Sequence, residues 1–186
     1  ARSAGTLRLI RLFWTTSFAA ELEYRGNFLV SALTSAGGLA GAIFGLSLFY
    51  RAGVTLGGWS WHEALLVMGC FTFLTGFTRT WLSPNLSRIV EHVQKGTLDF
   101  VLLKPVDAQL WLSLRRLSPW GLSDLALGLG IVLYAAAALD VAPLRLLLGL
   151  FPLAAGVTIL YSLWFVLATT TIWFVKIYNV TEVLDG

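Results

Sequence analysis

Few side chains in this chain are equipped to do chemistry, and their spacing rules out the common catalytic designs. His62 and Glu63 adjoin as in a zinc-protease motif, but that motif needs a second histidine one helical turn on, and position 66 is a leucine. His92 has no second His or Cys at ligand spacing. The three lysines follow Gln94, Leu103 and Val175, so the Gly-Lys-Ser/Thr step of a phosphate loop is absent and ATP is not bound by that route. No catalytic residue, metal ligand or bound cofactor is expected of this chain. What stands out instead is the polar segment 83–107, SPNLSRIVEHVQKGTLDFVLLKPVD, set between two long apolar stretches. A turn between two spans needs only a handful of residues. Its chemistry is that of recognition, and it looks built to be gripped by a cytoplasmic partner.

The apolar stretches decide the class. Hydrophobic residues make up 57% of the 186-residue chain and charged ones only 12%, with a mean hydropathy of +0.77. A soluble domain carries about 25% charged residues, so a water-soluble core is excluded and an all-α polytopic membrane protein is expected. Barrel strands, with their alternating pattern, are absent. About 20 apolar residues cross the hydrocarbon, which places four transmembrane helices at 28–50, 64–82, 122–139 and 146–175. The sole cysteine, Cys70, lies inside an apolar run, so no intrachain disulfide is available. No secretory signal peptide is read at the N-terminus, and the missing initiator Met suggests a trimmed or incomplete chain.

The net charge of +3 does not point to nucleic acid, because the basic residues flank the spans. Eleven of the thirteen, including Arg8, Arg11, Arg25, Arg88, Lys95 and Arg116, fall on one side, and only Arg51 and Arg145 on the other. The positive-inside rule puts the N-terminus and the central loop in the cytoplasm. Before the first span, residues 6–24 read as an amphipathic interfacial helix: Arg8, Arg11 and Thr15 share one face, while Leu7, Ile10, Phe13, Trp14 and Phe18 cover much of the rest. Such a helix suits the headgroup layer of membrane lipid. Within the first span, Gly37, Gly41 and Gly45 repeat every four residues, a spacing that lets helices approach closely in lipid. They serve helix packing inside the chain or a seam with another subunit. Interior polar groups are mainly hydroxyls (Thr72, Thr75, Ser162, Thr169, Thr170 and Thr171), expected to bond their own helix or glue neighbours.

The central loop reads as two short helices. Ser83 is placed to cap the first, with Pro84 at its first position. Leu86, Ile89, Val90 and Val93 form an apolar stripe opposite Arg88, Glu91, His92 and Lys95. Gly96 ends it, Thr97 is placed to cap a second, and Pro105 ends that.

LEYRGNFLVS before the first span, GWSWHEALLVMG before the second, the central loop, and YSLWFVLATTTIWFVKIYN in the last span together resemble permease subunits of ATP-binding cassette transporters, of the type-2 export class and its bacterial six-span branch. The most specific part is Gly96-Thr97-Leu98-Asp99-Phe100 followed by Leu102-Leu103-Lys104-Pro105. The resemblance implies a permease that pairs with a second permease, identical or paralogous, and with ATP-binding cassette ATPase subunits that hold ATP and Mg. It implies the bacterial cytoplasmic (inner) membrane, and two further spans in a full-length chain. By resemblance, residues 83–107 contain the coupling helix, and Glu91, His92, Lys95, Gly96, Thr97 and Asp99 contact the ATPase, with Arg8 and Arg11 near it. A non-transporting scaffold or anchor subunit is the alternative. An ion-coupled carrier is disfavoured by the scarcity of charge within the spans.

Overall fold

The computed structural model describes residues 14–15, 25–53, 57–103 and 107–184. The protein is an all-α polytopic membrane protein, with no strand among the described residues. Helix α1 spans Arg25–Arg51, α2 Trp61–Phe77, α3 Ser83–Gln94, α4 Leu98–Leu102, α5 Ala108–Leu114, α6 Leu122–Ala138 and α7 Pro143–Leu184. A π-helical turn, Thr78–Leu82, joins α2 to α3, and a 3₁₀ turn, Pro119–Gly121, precedes α6. Four runs are long and apolar enough to cross a membrane: Phe28–Arg51, Trp61–Gln94, Pro119–Ala138 and Pro143–Thr171. Of the interfacial helix expected at 6–24, only Trp14 and Thr15 are described; Arg8 and Arg11 lie outside the described residues, as do Lys104 and Pro105.

By packing, the chain divides into two units. One comprises Glu21–Thr80 and Pro119–Val157. Its core is the pairing of α2 with α6, and the pairing is made by glycine. A Cβ at Gly128 would stand 2.4 Å from the Phe73 nitrogen, and one at Gly76 2.5 Å from the Leu125 nitrogen. Gly69 faces Val132, and Gly121 faces Gly76 and Thr80. Each helix thus offers small residues seven apart, and the two backbones touch where lipid-phase association depends on close van der Waals packing. Helix α1 joins this unit through hydroxyls: Ser31 Oγ donates to the Trp120 carbonyl at 3.2 Å, and Ser123 Oγ lies 3.5 Å from Ser35 Oγ. Arg79, in the π-helical turn, bonds the buried Asp124 in the first turn of α6 at 3.0 Å.

Gly37, Gly41 and Gly45 behave differently. A Cβ at any of them meets nothing within 4 Å among the described residues. Among the described residues, the close backbone approaches are made instead at Gly69, Gly76, Gly121 and Gly128. Around the ridge, Leu29, Val30, Leu33 and Phe44 are all exposed, as lipid-facing or subunit-facing residues of an all-apolar helix are.

The start of α2 is fixed locally. Ser60 Oγ accepts from the Glu63 amide, and the Glu63 carboxylate accepts from the Ser60 amide at 2.7 Å, which together form a capping box. Glu63 thereby takes part in starting the helix. Tyr50 at the end of α1 donates to the Trp59 carbonyl at 2.9 Å and meets Trp61 edge-on, closing the α1–α2 turn.

The other unit contains Trp81–Ser118 and Thr158–Gly186, with Ala1–Ala20. Here α3 packs on α5. Leu86 and Ile89 are fully buried and Val90 and Val93 partly so, so the apolar stripe of the central loop lies on the chain itself.

Candidate functional site

Residues 83–103 fold as two helices joined by a sharp, well-tied turn. Ser83 is the first residue of α3 and not its cap. The chain enters α3 from the π-helical turn without leaving helical geometry, Leu82 occupies the cap position in αR conformation, and no side-chain cap bond is made. The reason is simple: a capping serine needs extended backbone, and here the preceding turn supplies helical carbonyls instead. Trp61–Gln94 is consequently one helical run of 34 residues. About 20 suffice to cross the hydrocarbon, so the run is longer than one crossing needs.

At the far end the expected stop is present. Gly96 sits at φ 64°, Thr97 N–H donates to the His92 carbonyl at 2.9 Å, and Gly96 N–H donates to the Val93 carbonyl at 3.1 Å. This is a Schellman closure, for which only glycine adopts the left-handed residue without strain. Thr97 does not cap α4 with its side chain. Its hydroxyl is 2.8 Å from His92 Nδ1 instead, so that a polar bond links the two positions where a Schellman turn often has an apolar contact.

Glu91 sits between Arg88 and Lys95, the latter at 2.7 Å. The Lys95 ammonium bonded to it, helped by Arg88, holds the Glu91 carboxyl below the usual carboxylate value. These pairs lie one turn apart on an exposed face and align the charges rather than add much stability. Asp99 is exposed in the first turn of α4. The structure therefore brings Glu91, His92, Lys95, Gly96, Thr97 and Asp99 together around one turn. It also adds what the charge pattern did not suggest: Phe100, Leu102 and Leu103 are 69%, 56% and 80% exposed, while Val101 between them is buried. The signal was in the sequence, since three large apolar residues in a short helix cannot all turn inward.

A buried polar clamp holds α3 in place. Asn85 is 2% exposed; its amide nitrogen donates to the Trp81 and Arg116 carbonyls at 2.8 and 2.7 Å, and its oxygen accepts from the Arg116 N–H at 2.8 Å. Trp81 donates to the Ser113 carbonyl at 3.1 Å, and Ser113 Oγ is 2.8 Å from the Tyr161 hydroxyl. Trp14 reaches the Leu114 carbonyl at 3.3 Å and stacks edge-on against Trp81; it rests on protein rather than only on lipid. Asn85→Ala is expected to cost about 2 kcal/mol or more, because the Arg116 amide and carbonyl lose their partner where water is excluded. Thermal unfolding in detergent measures this. Thr72, Thr75, Ser162, Thr169, Thr170 and Thr171 all donate to carbonyls three or four residues back in their own helices.

Within this unit, α3 and α4 meet at a closed turn with ordered charges and exposed apolar side chains. The sequence matches, over residues 37–186, the family model described as ABC-2 family transporter protein. No curated protein and no solved structure matches it. With most of the chain covered by that match and four helices apolar enough to span a bilayer, the chain belongs to the ABC-2 family of transporter proteins, as a membrane-spanning permease component of an ATP-binding cassette transporter.

Proposed function

We propose that this permease serves a type-2 exporter of the bacterial cytoplasmic (inner) membrane, with its N-terminus and the 83–107 loop in the cytoplasm. It forms a translocation path with a second permease, identical or paralogous. Cytoplasmic ATPase subunits bind and hydrolyse ATP with Mg, and their motion enters this chain through the loop. The observation that carries the reading is the continuous run from α2 through the π-helical turn into α3, closed at Gly96. The tip at Gly96 thus ends the same helical run that contains the second span. Glu91, His92, Lys95, Gly96, Thr97 and Asp99 are the contact positions, and Phe100, Leu102 and Leu103 supply the apolar area that a contact of useful affinity needs. The unpacked ridge Gly37, Gly41 and Gly45 supports a seam with the second permease.

Co-purification of the full-length chain with a co-expressed ATPase subunit tests the coupling. The wild type is expected to retain the subunit, and the Glu91→Ala/Lys95→Ala/Asp99→Ala variant to lose it or to show ATPase activity that no longer responds to the permease. Equal behaviour of the two proteins would sink the coupling assignment and leave a scaffold subunit as the reading.

A further inference from the structure

Between α3 and α5 lies a cavity of about 160 Å³ lined by Asn85, Arg88, His92, Trp111, Arg115 and Arg116, with Leu112. Three arginines and a histidine line one small space. Of these three arginines, only Arg88 has an ion pair among the described residues, to Glu91. Arg115 is stacked on Trp111, its guanidinium carbon 4.5 Å from the ring centroid, and so is held in one orientation. Asn85 bonds both backbone groups of Arg116 and fixes the base of the same strand of chain. Partial burial first, and then the neighbouring Arg116 and Arg88 charges, push the Arg115 pKa down.

We propose that this cavity binds the phosphate group of an anionic phospholipid headgroup. Planar guanidinium forks match phosphate oxygens in bidentate fashion, where ammonium groups act as point charges. The depth favours a lipid over a soluble anion. Asn85 and Arg88 follow the last apolar residue of the span, Leu82, by three and six positions, about 5 and 9 Å at 1.5 Å per residue. The headgroup layer begins there. Trp81 and Trp111, both partly buried in the same unit, are residues that favour this depth. The cavity suits a headgroup with a few waters, not a whole amphiphile, so the acyl chains stay in the bilayer. An anion placed there relieves the mutual repulsion of Arg88, Arg115 and Arg116 and fastens α5 to α3. The inference is independent of the ATPase coupling.

Native mass spectrometry of the full-length chain in detergent, titrated with dioleoylphosphatidylglycerol or dioleoylphosphatidylcholine, tests it. The wild type is expected to prefer the anionic lipid by about tenfold, the scale of one or two charge-assisted contacts. Arg115→Gln/Arg116→Gln is expected to lose that preference, and Arg115→Lys/Arg116→Lys to keep part of it. Arg88→Gln, which leaves the Asn85 clamp intact, lowers it too and serves if the double variant does not fold. Arg51→Gln/Arg145→Gln, remote in sequence from the cavity residues, is expected to keep it. An unchanged preference in both glutamine variants overturns the proposal. Inorganic phosphate that displaces the anionic lipid fully assigns the site to a free anion and overturns the lipid source. No lipid preference in the wild type, with loss of the ATPase subunit from the glutamine double variant, overturns it in favour of an acidic protein surface.

Discussion

Gly128→Ala is expected to lower the stability of the protein by about 2 kcal/mol or more, and Gly76→Ala to do the same. At both positions the added methyl meets backbone, 2.4 Å from the Phe73 nitrogen and 2.5 Å from the Leu125 nitrogen, so no side chain can rotate away. The two helices have to separate instead. Overpacking of this kind costs about 1–3 kcal/mol even where neighbours yield, and separation forfeits the contacts that hold helices together in lipid. Alanine returns about 1 kcal/mol through its better helix propensity, which is smaller than the loss. Gly130→Ala is the internal control: a Cβ there meets nothing within 4 Å among the described residues, so only the propensity gain applies. Thermal unfolding in detergent should rank Gly130→Ala at or above wild type and the other two well below. Gly41→Leu completes the series. It is expected to leave the unfolding midpoint at or above that of the wild type and to reduce crosslinking between permease copies, since its surroundings are open. A lowered midpoint with unaltered crosslinking would remove Gly37, Gly41 and Gly45 from the proposed seam.

Phe100→Ser/Leu103→Ser is expected to weaken binding of the ATPase subunit by about 30-fold or more, the equivalent of about 2 kcal/mol, as for truncation of central apolar anchors. Both side chains are largely exposed, so the fold and its unfolding midpoint should not change. The salt dependence separates this variant from the one in which Glu91, Lys95 and Asp99 are replaced. Exposed charges steer association and are screened by salt. Binding should therefore become less salt-sensitive in the charge variant, and uniformly weaker at all salt concentrations in the anchor variant. Affinity measurements over a salt series check both. Wild-type binding by the anchor variant would place Phe100 and Leu103 on lipid instead of on the partner.

The charge cluster and the turn were legible in the sequence because both are local. Gly96 needs only its own backbone freedom to close α3, and Glu91 needs only Arg88 and Lys95 one turn away. The capping box Ser60-x-x-Glu63 is equally local, a serine followed three residues later by a glutamate ahead of an apolar run. Ser83 and Thr97 misled for a physical reason. Each has the right side chain for a cap, but a cap also requires a break in helical geometry or a free hydroxyl, and the π-helical turn removed the first while His92 took the second.

By itself, then, the sequence determined the all-α membrane class, since no arrangement of 57% hydrophobic residues in runs of this length escapes lipid. It also determined the rigid closure at Gly96 and, through its family pattern, the permease identity. Only the tertiary structure decided which glycines hold the chain together. The regular ridge at Gly37, Gly41 and Gly45 looks the better packing motif in one dimension, yet Gly76 and Gly128, far apart in sequence, are the ones against which backbone is pressed. The same holds for the arginine cavity: Arg88 and Arg115 are separated by most of the central loop, and their charges meet only because α3 lies on α5. Spacing along a chain reports which residues share a helix face, but it carries no information on which faces meet.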